Sequence, residues 1–187
     1  MTSFKANTEF YPERIILLSG NGQNVGKTTF ACQLIQHLKI QQLKVYAVKI
    51  SPHFHEMNPP FTIYNDQKFI LSLEKEKTTK DTGRMLESGA DEVFFLQVLD
   101  AHLKAALEYT FSLIPKEVIV VIESGAMRSI IEPALFLFFR KGPTDQLKPR
   151  AEDINPLADR TVLFDGTKFN FDVQKIIVKD QKIQWFD

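Results

Sequence analysis

The sequence predicts a three-layer α/β/α sandwich on a mostly parallel sheet, and three observations predict it. Short runs such as 15–19 (IILLS), 93–98 (VFFLQV) and 118–122 (VIVVI) are apolar on both faces, as strands covered by helices on both sides must be. These runs alternate with segments of helical periodicity. The 187 residues, 44% hydrophobic and 25% charged, suit one domain with a sizeable core, so residues 1–187 are read as a single domain.

Each element has its own warrant. Ile15 to Ser19 is a continuously apolar strand. A helix from Gly26 to Ile40 follows from the spacing of Phe30, Ala31, Leu34, Ile35 and Leu38. Lys44 to Ile50 is a second strand, after which Pro52 and Asn58-Pro59-Pro60 break regular structure. Thr82 to Ser88 forms a helix closed by Gly89, the usual C-terminal glycine position. Val93 to Val98 is a third strand. Asp100 suits the N-cap of a helix carrying Leu103, Ala106, Leu107, Thr110, Phe111 and Ile114. Val118 to Ile122, Ala134 to Phe139 and Thr161 to Phe164 are further strands. Phe171 to Phe186 reads as an extended hairpin turning at Asp180-Gln181, with a short helix as the alternative. Sheets of this class hold their sites at the carboxyl ends of strands, so functional residues are expected after Ser19, Ile50, Val98 and Ile122.

Composition excludes several classes. Lys+Arg and Asp+Glu are 23 each, so no net field points to nucleic acid or a membrane. The one cysteine, Cys32, excludes a disulfide framework and suits a cytoplasmic protein; its place among apolar helix positions predicts a buried, inert thiol. The apolar run 130–139 is short and carries Glu132 and Pro133, so no bilayer crossing is expected. Met1 to Glu13 is polar and lacks the apolar stretch of a signal peptide. Sixteen phenylalanines predict an aromatic core and an apolar surface that a partner covers.

The chemistry concentrates at 17–36. Gly26-Lys27-Thr28 matches the second half of G-x-x-x-x-G-K-[ST] between a strand and a helix, while Asn21 stands where the first glycine normally stands, flanked by Gly20 and Gly22. A phosphate chain must approach the backbone closely, which glycine permits. Successive N–H groups over Gly22, Gln23, Asn24, Val25, Gly26, Lys27, Thr28 and Thr29 can form an anion nest at a helix N-terminus. Lys27 brings a mobile charge to the outer phosphates, and the Thr28 hydroxyl can ligate Mg2+. Glu123, following a fully buried strand, is poorly explained as a surface charge and suits the metal or its water.

The loop GNGQNVGKTT (20–29) resembles that of dethiobiotin synthetases, a branch of P-loop NTPases. DTGRMLESGADEVFFL (81–96) resembles the Asp-Ser-x-Arg-x-x-x-x-Gly-Ala segment of the molybdopterin-guanine dinucleotide biosynthesis B proteins through Asp81, Thr82, Arg84, Gly89 and Ala90. VKISPHFH (48–55) resembles their strand ending in lysine, and VIVVIESG (118–125) the strand and acid both families carry; the likeness spans roughly 15 to 140. The resemblance implies a P-loop NTPase that binds ATP or GTP with Mg2+, hydrolyses it slowly and serves as an accessory factor in cofactor biosynthesis. The alternatives are a dethiobiotin synthetase-like enzyme and a nucleotide-dependent switch that docks a partner protein. It further implies a homodimer, with the Phe-rich 135–139 region near a shared surface or else buried in a central strand. No [NT]-K-x-D guanine-reading motif is present.

On this reading Lys27, Lys49 and Glu123 are the catalytic candidates, and Thr28, Glu123 and Asp81 the metal candidates. An anionic second ligand, a small molecule, would meet Lys49 and Arg84, with His53 or His55 at its rim. Each has a plainer alternative: Lys49 reaching solvent, Asp81 and Arg84 merely pairing with each other, and the histidines lying on a surface loop.

Overall fold

The structure, a computed structural model, describes residues 10–55 and 59–186. The polar lead-in 1–9 and Asn58, where the sequence predicts a chain break, lie outside the described residues. Among the described residues eight strands form one sheet: β1 (Ile15–Gly20), β2 (Val45–Ser51), β3 (Thr62–Asn65), β4 (Phe69–Leu73), β5 (Glu92–Val98), β6 (Ile119–Glu123), β7 (Leu135–Arg140) and β8 (Arg160–Leu163). Their order is β3-β4-β5-β2-β6-β1-β7-β8. The six strands from β5 to β8 pair in parallel, and β3 and β4 add an antiparallel edge. The helices are α1 (Lys27–Ile40), α2 (Asp81–Glu87), α3 (Leu103–Ser112) and α4 (Pro149–Ile154).

Period-two alternation divides the core. Ile16 and Leu18 of β1, Val45 and Ala47 of β2, and Ile119 and Val121 of β6 pack with Phe30, Leu34 and Leu38 of α1. Ile15, Leu17, Val48 and Ile122 point the other way, toward Leu103, Leu107 and Phe111 of α3 and Ile154 of α4. The sheet is therefore covered on both faces, the α/β layering that two-sided apolar strands require.

Several expectations need correction. Thr62–Asn65 and Phe69–Leu73 form a hairpin after the Pro59-Pro60 breakers, in a stretch where the sequence reading assigns no element. β3 is mostly exposed and carries no apolar run; it is legible only through its partner. Asp100 opens a short 3-10 turn, and α3 starts after His102 without a side-chain cap bond. Cys32 is only partly buried, and burial still raises its thiol's pKa. Leu135 to Phe139 lies in β7, fully buried between β1 and β8, so it offers no shared surface. The terminal hairpin is present as β9 (Ile176–Lys179) and β10 (Lys182–Trp185), turning at Asp180 and Gln181, both at positive φ. Gly89, at φ +99°, follows α2 as expected. Among the described residues no helix is long and apolar enough to cross a membrane.

Candidate functional site

The loop between β1 and α1 carries three residues with positive φ, Gly22 (100°), Asn24 (58°) and Gly26 (89°). Gly26 is required twice over: its φ is left-handed, and a Cβ there would sit 2.7–2.8 Å from the stacked rings of Phe169 and Phe164. The first intrahelical bond runs from Phe30 N–H to Gly26 C=O at 2.9 Å. The N–H groups of Lys27, Thr28 and Thr29 thus stand at the open end of a fourteen-residue helix, where a partial positive charge gathers.

The strand register delivers the next groups. Val45-Ala47-Lys49 and Ile119-Val121-Glu123 are the α1-facing stripes of β2 and β6, and Lys49 is the register partner of Glu123. At the carboxyl end each stripe changes from apolar to charged, directly under the start of α1. Glu123, 4% exposed, accepts from Lys49 Nζ at 2.5 Å and from Thr28 Oγ1 at 2.8 Å, with Lys27 Nζ 4.0 Å away. Ser124 holds the strand end in place: its N–H donates to Leu18 C=O, and its hydroxyl accepts from the N–H groups of Ala126 and Met127. Lys49 also donates to Asp81 Oδ2 at 2.8 Å, from the first residue of α2. Lys27 folds back and donates to Gly22 C=O at 2.6 Å.

The charges tune one another. Burial works to lower the pKa of Lys49, but Glu123 and Asp81 outweigh it and hold the ammonium above the usual lysine range. Burial likewise works to raise Asp81, but bonds from Lys49 and Thr28 and the charge of Arg84 hold its carboxyl below the usual range. Lys27 is lowered, chiefly by burial; Glu123 opposes this, while Lys49 and Lys148 add to it.

Of the sequence candidates, Lys27, Thr28, Lys49, Asp81 and Glu123 are linked by direct contacts. Arg84 joins at one remove: its Nη2 donates to Thr29 Oγ1 at 3.2 Å, and its Nη1 lies 4.0 Å from Asp81. His53 and His55 are both exposed; His55 lies nearly parallel to Phe95 and borders a cavity that Lys49 also lines, and His53 does not line it.

Sequence reasoning missed two features. The segment after β7 is clamped to the glycine loop by Asn21, whose side-chain amide donates to Gln146 C=O and whose carbonyl accepts from Lys148 N–H. This brings Lys148 Nζ to 3.0 Å from where a Gly22 Cβ would stand, a second lysine over the loop. The other is the cavity itself, about 530 Å³. Its one visible signal was Gln97, a fully buried amide inside an apolar strand.

Chemically, the loop N–H groups and Lys27 can hold a polyanion, and the oxygens of Thr28, Glu123 and Asp81 are hard donors of the kind Mg2+ accepts. Among the described residues no group of three or more His, Cys, Asp or Glu is placed to hold a metal unaided. No protein-family model matches the chain, and no curated protein or solved structure matches it.

Proposed function

We propose that the chain binds a nucleoside triphosphate, ATP or GTP, with Mg2+ on the β1–α1 loop, and that it is a P-loop NTPase. One observation carries the reading: a glycine loop, a helix N-terminus, two lysines, a hydroxyl and two carboxylates meet at the carboxyl edge of a parallel sheet, where ligands of such sheets bind. Lys27 exchanges its Gly22 carbonyl for the outer phosphates. Thr28 and Glu123 hold Mg2+ directly or through water, with Asp81 beside them, and bound Mg2+ would supply charge neutralisation to the transferring phosphoryl group. Lys49 holds Glu123 and Asp81 in place and faces the terminal phosphate. Arg84 is already engaged with Thr29 and Asp81 and so is not free to reach that phosphate. Hydrolysis without a partner is accordingly slow, on the order of 10⁻³ s⁻¹ or below, the scale of unassisted P-loop GTPases. Calorimetry tests the cradle. Lys27→Ala, folded by circular dichroism, should lose Mg–triphosphate binding, and unchanged affinity refutes the reading.

The resemblance of residues 81–96 favours an accessory factor in cofactor biosynthesis, for which slow turnover is expected. A second reading has its own support: the cavity beside Lys49 is of the size that holds a small-molecule substrate, which favours a biosynthetic enzyme. Product analysis separates the two, since an enzyme yields a phosphorylated or ligated product and an accessory factor releases only phosphate.

A further inference from the structure

The cavity lies on the α1-facing side of the sheet, beyond Lys49 as seen from the glycine loop. Strand register sets its distance. Leu18, Glu123, Lys49, Phe95 and Ser72 are successive register partners across β1, β6, β2, β5 and β4. They form one row across the sheet, and neighbouring strands lie about 4.8 Å apart. The row therefore passes from the buried acid to the aromatic wall of the cavity in two strand spacings, about 10 Å.

The lining changes character along that row. At the outer end Phe95 and Phe61 supply apolar surface, and the His55 ring lies 20° from the plane of Phe95 at a centroid distance of 6.4 Å. A flat apolar body suits such a wall. At the inner end stand Lys49 and Asp81, joined at 2.8 Å. Glu74, Glu76 and Lys80 also border the cavity; Glu74 is already engaged, accepting from the Lys75 and Glu76 N–H groups and from the Thr82 hydroxyl.

A joined ammonium and carboxylate select the group that meets them. A carboxylate ligand is repelled by Asp81, and an ammonium ligand by Lys49. A hydroxyl satisfies both, accepting from the lysine and donating to the aspartate. We propose that this cavity binds a small uncharged organic molecule with a flat apolar body against Phe95 and a hydroxyl group set between Lys49 and Asp81. This proposal differs from the expectation of an anionic second ligand, and it takes Phe95 and Ser72 as the ligand's neighbours in place of Arg84 and His53. That the molecule is a second substrate rests on the nucleotide reading above; that it binds does not.

The test uses 2-naphthol, which is flat, apolar, hydroxylated and fluorescent, titrated into the whole chain at neutral pH without nucleotide. Saturable one-to-one binding is expected. Phe95→Ala, which removes the wall, should weaken it at least tenfold, and Ser72→Phe, which fills the floor, should abolish it; circular dichroism melts establish that each variant is folded. The anion 2-naphthoate should bind at least tenfold more weakly than 2-naphthol. Absence of saturable binding, binding indifferent to Phe95→Ala, or equal affinity for 2-naphthoate each overturns the proposal. If Ser72→Phe does not fold, Phe95→Ala and the 2-naphthoate comparison decide alone. A chain that binds 2-naphthol but no Mg–ATP or Mg–GTP overturns the reading of the glycine loop and leaves the cavity standing. The reverse result overturns the cavity alone.

Discussion

Replacing Glu123 by glutamine should destabilise the fold by an amount the contacts set. The substitution keeps the side chain's shape and an oxygen for the Thr28 hydroxyl, but removes the charge facing Lys49 at 2.5 Å. Orphaning a buried charge costs about 3–5 kcal/mol. Lys49 is not orphaned, because it keeps Asp81 at 2.8 Å. The Asp81 side chain is 44% exposed, so that remaining pair is screened and replaces little of what is lost. What goes is one charge-assisted bond, about 1.5–3 kcal/mol, or about 3–12 °C in Tm for a chain of this length. Lys49→Met is expected to cost more, about 3–5 kcal/mol, because it leaves the Glu123 carboxylate buried with only a hydroxyl in contact and Lys27 at 4.0 Å.

Urea unfolding followed by the fluorescence of Trp185, the chain's single tryptophan, measures both variants and the double variant. Trp185 packs against the α1-side core and reports on it. The double variant carries neither charge, so its loss should fall short of the sum of the two by about 1.5 kcal/mol or more. A Glu123→Gln protein within about 0.5 kcal/mol of wild type, or losses that simply add, would refute the coupling. The same variant bears on function, since Mg-dependent hydrolysis should fall more than Mg-free nucleotide binding. Hydrolysis at the wild-type rate would make the acid structural.

Gly26→Ala should cost about 2–4 kcal/mol, because a left-handed φ is strained for alanine and its Cβ meets two packed rings; a melt unchanged from wild type sinks the argument. Asp81 has its folded pKa held below the ordinary value, so its contribution is present above about pH 3.9 and is lost as pH falls through the folded value. Asp81→Asn should therefore flatten the acid limb of the Tm profile, where pH falls below the ordinary carboxylate range, and leave its shape near neutrality unchanged; an acid limb as steep as wild type refutes this. Lys148→Ala should weaken triphosphate binding about 2- to 5-fold at low salt, as befits an exposed charge, with the difference shrinking as salt is added. Equal affinities at low salt would place Lys148 outside the site.

Much of this arrangement was legible because it obeys local rules. The strand–glycine–helix order, the continuously apolar strands and the glycine after α2 all read directly from residue type and spacing. Lys49 and Glu123 were legible as the polar ends of apolar runs, and period two then places both on the α1 face. What was not legible depends on distant partners. β3 is exposed and acquires its identity from pairing with β4. The run 135–139 reads equally as a core strand or a sticky surface until β8 is known to cover its far edge. The contact between Asn21 and the segment at 146–148 joins residues more than a hundred positions apart, and no window of sequence contains it.

That contact also explains a departure of the loop from its pattern. Glycine at position 21 would leave the segment after β7 to find its own place. Asparagine offers two N–H donors and a carbonyl oxygen with two lone pairs, and here the amide donates to Gln146 C=O while the carbonyl accepts from Lys148 N–H. The backbone at 21 is itself secured by its N–H to Phe139 C=O at 2.9 Å, so the clamp ties the end of β7 and the segment following it to one point of the glycine loop. Close backbone approach is preserved by the glycines on either side, since Gly22 carries the positive φ. One side chain thus trades a glycine's freedom for a fixed second wall. It sets Lys148 beside Gly22, whose carbonyl Lys27 also meets, so that a polyanion on the loop would meet two lysines.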